Sequence, residues 1–316
     1  MVHVVLAGGS GNVGWEITQE LFNQGKHQVT VFSRNGAPEL TAAGIDVVKV
    51  NYLDKAELTA ALKGVHTVLS FLVGDQQNLA QNNLVAACVD AGVKRFAPSE
   101  WATRCDSHFP GYAYKDELHA HLKELNAEKP VLEYCLFQCG VFMNYLAYPK
   151  VTTEHLFITC IGYDCEGGHA IMVEEGEDWR VWTTIQDVAK VVAAAIDYEG
   201  KWPEVGGIVG SRIQEKELVK LIEKYAGRPM TIHRVQKADL AKGELNSDWI
   251  PPMNHPHMPP EMKTPEFKRM VLSSYALVAS NGAVDVPPTW NKLLPDMKLT
   301  DVETFLRDAL GEKEKI

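Results

Sequence analysis

A chain of 316 residues with 46% apolar and 23% charged side chains has the composition of a soluble globular protein, long enough for a sizeable core and two lobes. Its formal net charge of −10 excludes a general affinity for nucleic acid, which needs a basic face, and no apolar run reaches the length of a membrane span. The six cysteines, at positions 88, 105, 135, 139, 160 and 165, lack the paired spacing of a metal site and read as reduced, mostly buried thiols.

The chain enters an apolar run at once, Val4 to Ala7, which leaves no room for a leader and predicts a cytoplasmic protein. A turn with Gly8, Gly11 and Gly14 follows, then an amphipathic helix with Val13, Ile17 and Leu21 on one face and Gly25 as its stop. Strand–glycine turn–helix is a pyrophosphate site, because glycines let backbone N–H groups approach and the helix dipole favours negative charge. The residues expected to form it are Gly8, Gly9, Ser10, Gly11, Asn12, Val13 and Gly14.

A second strand, Gln28 to Phe32, delivers Ser33, Arg34 and Asn35. An acidic residue there would hold a ribose 2′-hydroxyl, whereas Arg34 suits a 2′-phosphate, so the expected cofactor is NADPH. Strands are expected at Ile45–Val50, Val65–Leu72, Lys94–Pro98 and Val131–Phe137. Helices alternate with them, from near Asp54, over Asn78–Ala91 and over Tyr112–Ala127. The pattern is that of a Rossmann-type, doubly wound parallel α/β sheet over residues 1–150, with a smaller, irregular α+β substrate lobe over 151–316. A helix opening at Thr184 and a strand near Val205 to Val209 can return to the first lobe.

Farther on, Ser211-Arg212-Ile213-Gln214 resembles a capping box for a helix ending at Gly227. Residues 243–265 are rich in proline and include His255 and His257, which predicts an extended loop able to reach a cleft. A last helix near Thr300–Leu310 precedes a charged tail, expected to fray from Glu312.

Ligands of an open parallel sheet bind beyond the strands' carboxyl ends, here Gly8–Gly14, Ser33–Asn35, Val73–Gln77 and Pro98–Asp106, with Gln138–Asn144 as a further candidate. Tyr112 and Lys115, three apart, share a helix face near the expected nicotinamide end. A cation there can hydrogen-bond ribose hydroxyls and stabilise charge developing on a substrate oxygen, which makes Lys115 and Tyr112 the candidate catalytic residues. His119 and His121 read as surface or packing residues, and Ser99 and Glu100 as either functional or turn-stabilising.

These segments resemble the NmrA-like and isoflavone-reductase-like family, atypical short-chain dehydrogenases, with a fungal flavour. The resemblance rests on Gly8–Gly14, Arg34, Gly64–Ser70, Ala91–Glu100, Lys115 and Trp182–Ala189. It implies an NADPH lobe, a lobe that varies with substrate, and Lys115 as acid–base group in reduction of a phenolic or polyketide-like, conjugated or carbonyl-bearing metabolite. Two departures stand out. Gly111 replaces the tyrosine of the standard Tyr-x-x-x-Lys, and no lysine in 36–44 matches the one that often assists the 2′-phosphate. A non-enzymatic NADP sensor acting on a transcription factor and a non-redox isomerase or cyclase are the alternatives. The expected partner is a small aromatic or conjugated molecule, and a homodimer is compatible with the sequence.

Overall fold

The computed structural model describes residues 1–73, 78–253 and 263–311. Residues 74–77 of the expected Val73–Gln77 loop, His255 and His257, and the tail from Glu312 lie outside the described residues.

The first lobe is built on six parallel strands in the order β3-β2-β1-β4-β5-β6. These are β1 (His3–Ala7), β2 (Gln28–Ser33), β3 (Asp46–Lys49), β4 (Thr67–Ser70), β5 (Arg95–Ala97) and β6 (Glu133–Tyr134). The order reverses between β1 and β4, so the crevice beyond their carboxyl ends is the topological switch point of a Rossmann sheet. Helices α1 (Asn12–Gln24), α2 (Pro38–Ala42), α3 (Lys55–Ala61), α4 (Leu79–Ala91) and α5 (Ala113–Leu125) make the crossovers. Alternation along β1 explains the two layers. Val4 and Leu6 pack with Ile17 and Leu21 of α1, while Val5 and Ala7 pack with Leu58, Leu84 and Leu118 on the opposite face.

Local signals fix the ends. Gly25 and Gly92 close α1 and α4 in the left-handed conformation, with φ of 62° and 75°. The Asp54 carboxylate accepts from Glu57 N at 2.9 Å and starts α3.

The single strand expected over Val131–Phe137 is two short ones. Glu133–Tyr134 continues the main sheet, and β7 (Leu136–Gln138) swings away to pair with a later strand, β12 (Val205–Gly207). Between these, β8 (Val141–Phe142) pairs with β11 (Trp179–Thr183), and β9 (Tyr163–Asp164) and β10 (His169–Val173) belong to a separate three-stranded sheet. Helix α6 (Ile185–Asp197) follows β11 and buries Val188, Val191 and Val192 in the core shared with α1. The return of the 185–207 segment to the first lobe's core therefore has a hydrophobic cause on one side and a backbone ladder on the other.

The capping box expected at Ser211–Gln214 is corrected. Those residues are β13 (Ser211–Gln214), antiparallel to β11, and α7 (Glu215–Ala226) begins after them with Gln214 in the N-cap position and no side-chain cap bond. Cross-strand partners outweigh the local pattern. The Arg212 guanidinium lies 4.2 Å over the Trp179 ring and forms a two-pronged pair with Asp285 at 2.7 and 2.8 Å.

The remainder comprises β14 (Thr231–Val235), paired with β10, and α8 (Lys237–Leu240), α9 (Pro265–Val278), α10 (Thr289–Leu293) and α11 (Val302–Leu310). Asp301 caps α11 through Thr304 N at 2.9 Å. All six cysteines are free thiols. Among the described residues no helix is long and apolar enough to cross a membrane.

Candidate functional site

The glycine turn and α1 are locked together. Gly8 takes a φ of 77° and the Gly11 N–H donates to its carbonyl at 3.0 Å. The Thr18 hydroxyl lies 2.7 Å from Gly14 O and 3.1 Å from Gly9 O. A Cβ on Gly9 would stand 2.7 Å from Leu6 Cβ, and one on Gly14 would stand 2.8 Å from Gly8 O. These two glycines serve close packing of strand, turn and helix, and neither lines the cleft above them. Helix α1 has no side-chain cap and no acidic residue in its first turn, so its positive end is left for an outside anion.

That cleft, about 700 Å³, is lined by Gly8, Ser10, Gly11, Ser33, Arg34 and Asn35, as expected. Asn12 and Val13 open α1 beside it, with Val13 partly packed into the core. Asn51, Tyr52, Phe71 and Leu72 also line it. Arg34 is exposed, and among the described lining residues it is the single ionised side chain, with no carboxylate beside it. The Ser33 hydroxyl donates to Gly36 O at 2.8 Å and closes the loop that carries Arg34. A glycine cradle, an open helix terminus and an unopposed cation fit a dinucleotide bearing a 2′-phosphate.

At the far end of the cleft Phe71 stacks on Trp101, with ring centroids 4.8 Å apart. Trp101 in turn lines an aromatic cavity of about 280 Å³ together with Phe109, Tyr112, Tyr145, Thr159 and Tyr275. Trp101 holds a left-handed backbone with φ of 42°, kept there by stacking on Phe71 and Phe137 and by its indole N–H donating to Ser70 O at 2.8 Å.

Lys115 lies in the first turn of α5, buried, with its Nζ 3.9 Å from the centre of the Tyr112 ring and donating to the Glu100 carbonyl. Tyr112 ends a 3-10 turn (Pro110–Tyr112) just before the helix, so the two expected catalytic residues do meet. Burial pulls the Lys115 pKa down, opposed by Glu100, Cys139 and Asp116. Burial pushes the Glu100 carboxyl up to about 7, partly offset by Lys115. Cys139 is a neutral thiol, its pKa raised by burial to about 12 despite Lys115. Burial likewise raises the phenols of Tyr112, Tyr145 and Tyr275, which therefore stay protonated donors.

Sequence reading passes over Tyr52 and Tyr275. Tyr52 follows β3 and obeys the same carboxyl-end rule as the loops singled out, so its signal was present. Its buried hydroxyl donates to Phe32 O at 2.9 Å. Tyr275 comes from α9, far along the chain, and no local pattern marks it.

Residues 2–263 match the model of the NmrA-like family. The chain belongs to the NmrA-like family. It is similar to Oxidoreductase BOA1 of Botryotinia fuckeliana, with 32% identity over 253 residues, 75% of this chain and 80% of that relative. Solved folds agree. The NADPH-dependent quinone oxidoreductase QOR2 of Escherichia coli, complexed with NADPH, superposes with a TM-score of 0.68 at 21% identity, over 96% of this chain and 99% of that one. The leucoanthocyanidin reductase of Vitis vinifera superposes with a TM-score of 0.71 at 18% identity, over 98% and 99%.

Proposed function

We propose that this NmrA-like protein is an NADPH-dependent reductase acting on a conjugated or carbonyl-bearing, phenolic or polyketide-like small molecule. The observation that carries the reading is the buried Lys115 ammonium. It stands between Glu100, at the carboxyl end of β5, and Tyr112, on the wall of the aromatic cavity. The names of two similar proteins support it: BOA1 is named an oxidoreductase, and QOR2 an NADPH-dependent quinone oxidoreductase complexed with NADPH.

In this reading the backbone of Gly8, Ser10 and Gly11 and the open start of α1 hold the pyrophosphate, with Gly9 and Gly14 shaping the turn, and Arg34, with Ser33 and Asn35 beside it, holds the 2′-phosphate. NADPH supplies the hydride when bound. Phe71 lines the first space and Trp101 the second, and their stacked rings stand between the two. Lys115 keeps one donor on Glu100 O, and its remaining donors would serve a ribose hydroxyl and a substrate oxygen. A lowered pKa makes this ammonium a stronger acid than a surface lysine, suited to deliver a proton to an oxygen on which negative charge develops. Tyr112, Tyr145 and Tyr275 hydroxyls orient a substrate carrying several oxygens in an otherwise apolar cavity.

The test is Lys115→Met, assayed with a panel of quinones, enones and aryl ketones by loss of NADPH absorbance. Turnover falls by about 10²–10⁴-fold with NADPH affinity changed by less than about tenfold. Unchanged turnover would refute the role of Lys115. Product formed without NADPH consumption would indicate the isomerase alternative. Binding of NADPH and NADP without oxidation by any acceptor would indicate a sensor.

A further inference from the structure

Tyr275 stands in the wall between two spaces. It lines the aromatic cavity and also a water-sized cavity of about 20 Å³ behind it, and Ile161 and Leu272 belong to both walls. The inner cavity holds a buried ion pair. Arg180 of β11 and Glu215 at the start of α7 are 5% and 1% exposed, with Nη2 and Oε1 2.8 Å apart. Glu215 also accepts from the Tyr163 hydroxyl at 2.7 Å and from Val173 N at 3.2 Å, so its charge is fully engaged. Neither Arg180 nor Glu215 is among the described residues that line the aromatic cavity.

The aromatic cavity has no charged side chain among its described lining residues. Its polar character rests mainly on the hydroxyls of Tyr112, Tyr145 and Tyr275. None of the three has a hydrogen-bond partner among the described residues, and none belongs to the unpartnered polar atoms that are closed off from a ligand. Phenylalanine would fill the same walls, so three open phenols point to oxygens on the occupant. Phe109 sets two of them in place, edge-on to Tyr112 at 4.9 Å and to Tyr275 at 6.3 Å between ring centroids.

Tyr275 differs from the other two in what lies behind it. Burial raises its pKa, the Arg180 guanidinium opposes the rise, and Glu215 and Cys139 add to it, which leaves the phenol at about 12. The neighbours of Tyr112 and Tyr145 add to the effect of burial and push those phenols higher. Tyr275 is therefore the strongest donor of the three.

Taking the aromatic cavity as the substrate space, as proposed above, we infer that Tyr275 is a specificity-determining residue, which donates a hydrogen bond to a second oxygen of the substrate while Tyr112 and Lys115 serve the oxygen of the reduced group. The substrate class is a neutral aromatic or conjugated molecule with two oxygen functions. A carboxylate is disfavoured at the second position, because Arg180 is already matched by Glu215 and a charge brought into this cavity meets no free cation in the described wall.

The probes are β-naphthol, two dihydroxynaphthalenes with the second hydroxyl on the same ring or on the other, and a hydroxynaphthoate. Each is titrated calorimetrically into the full-length protein with NADP in excess. NADP has no hydride to give, so the titrations read recognition whether or not any acceptor is reduced. In the wild type at least one diol should bind about five- to tenfold tighter than β-naphthol, the worth of one hydrogen bond, and the hydroxynaphthoate no tighter than β-naphthol. The diol that responds reports the spacing of the two oxygens. Tyr275→Phe keeps the ring and the melting temperature, brings the diol preference below about twofold and leaves β-naphthol affinity within about twofold. Equal affinities in the wild type, a preference that survives in Tyr275→Phe, tighter binding of the hydroxynaphthoate, or no binding by any probe would overturn the inference. Undiminished turnover in Lys115→Met bears on the reduction step alone and leaves these affinities as they are.

Discussion

Replacing Glu100 by glutamine tests the electrostatics of the site without removing a contact of similar shape. Glu100 is 4% exposed and its carboxyl lies at about 7, mainly because burial disfavours the charged form. From the ordinary 4.5 to about 7 is an interval of about 2.5, and each pH unit of it corresponds to about 1.4 kcal/mol. The sign follows from linkage. A group whose folded pKa is raised stabilises the fold fully below its unfolded pKa and loses that contribution as pH rises through the folded value. The wild type therefore loses about 3 kcal/mol between about pH 4.5 and pH 7, and Glu100→Gln does not. The attraction of Lys115 is already contained in the value of about 7, so the net gain of the variant at high pH is about 3 kcal/mol. Urea denaturation of the cofactor-free wild type and variant at about pH 4.5 and about pH 8 reads the effect, since titrations not coupled to Glu100 cancel in the difference. The stability difference should be near zero at the lower pH and favour the variant at the higher. A pH-independent difference, or one that favours the wild type as pH rises, would refute the reasoning.

Two further outcomes follow from the cofactor cleft. Arg34→Ala should weaken NADPH by about 10–100-fold, the worth of a charged hydrogen bond of about 1.5–3 kcal/mol, and leave NADH unchanged within about twofold in parallel calorimetric titrations. Equal losses for both cofactors would place Arg34 outside the 2′-phosphate contact. Gly9→Ala forces a Cβ to 2.7 Å from Leu6 Cβ and 2.9 Å from Thr18 Oγ1, so it should destabilise the fold by about 1–3 kcal/mol. A melting temperature equal to that of the wild type would show that the turn is not packed as described.

The first lobe was legible because its signals are local. An apolar run, three glycines and a helix stop at Gly25 follow one another within residues 4–25, and the same grammar repeats through Gly92. Lys115 and Tyr112 were legible for the same reason, being neighbours on one helix start. What sequence could not give was long-range competition. Ser211–Gln214 carries a cap-like pattern, yet pairing with Trp179–Thr183 and the Arg212–Asp285 bond make it a strand. The run 131–137 is apolar apart from Glu133, and nothing in it announces that the chain leaves β5 after Tyr134 and pairs Leu136 with Val205. The aromatic cavity gathers Trp101, Tyr145 and Tyr275 from three distant segments, so its shape exists only once the second lobe has folded.

The central claim is that the opening strand–turn–helix and Arg34 together select a dinucleotide with a 2′-phosphate. Calorimetric titration of the wild-type protein with NADPH and with NADH tests it most directly. NADPH should bind saturably and at least about tenfold tighter than NADH. Absence of heat with NADPH, or equal affinity for the two, would contradict it.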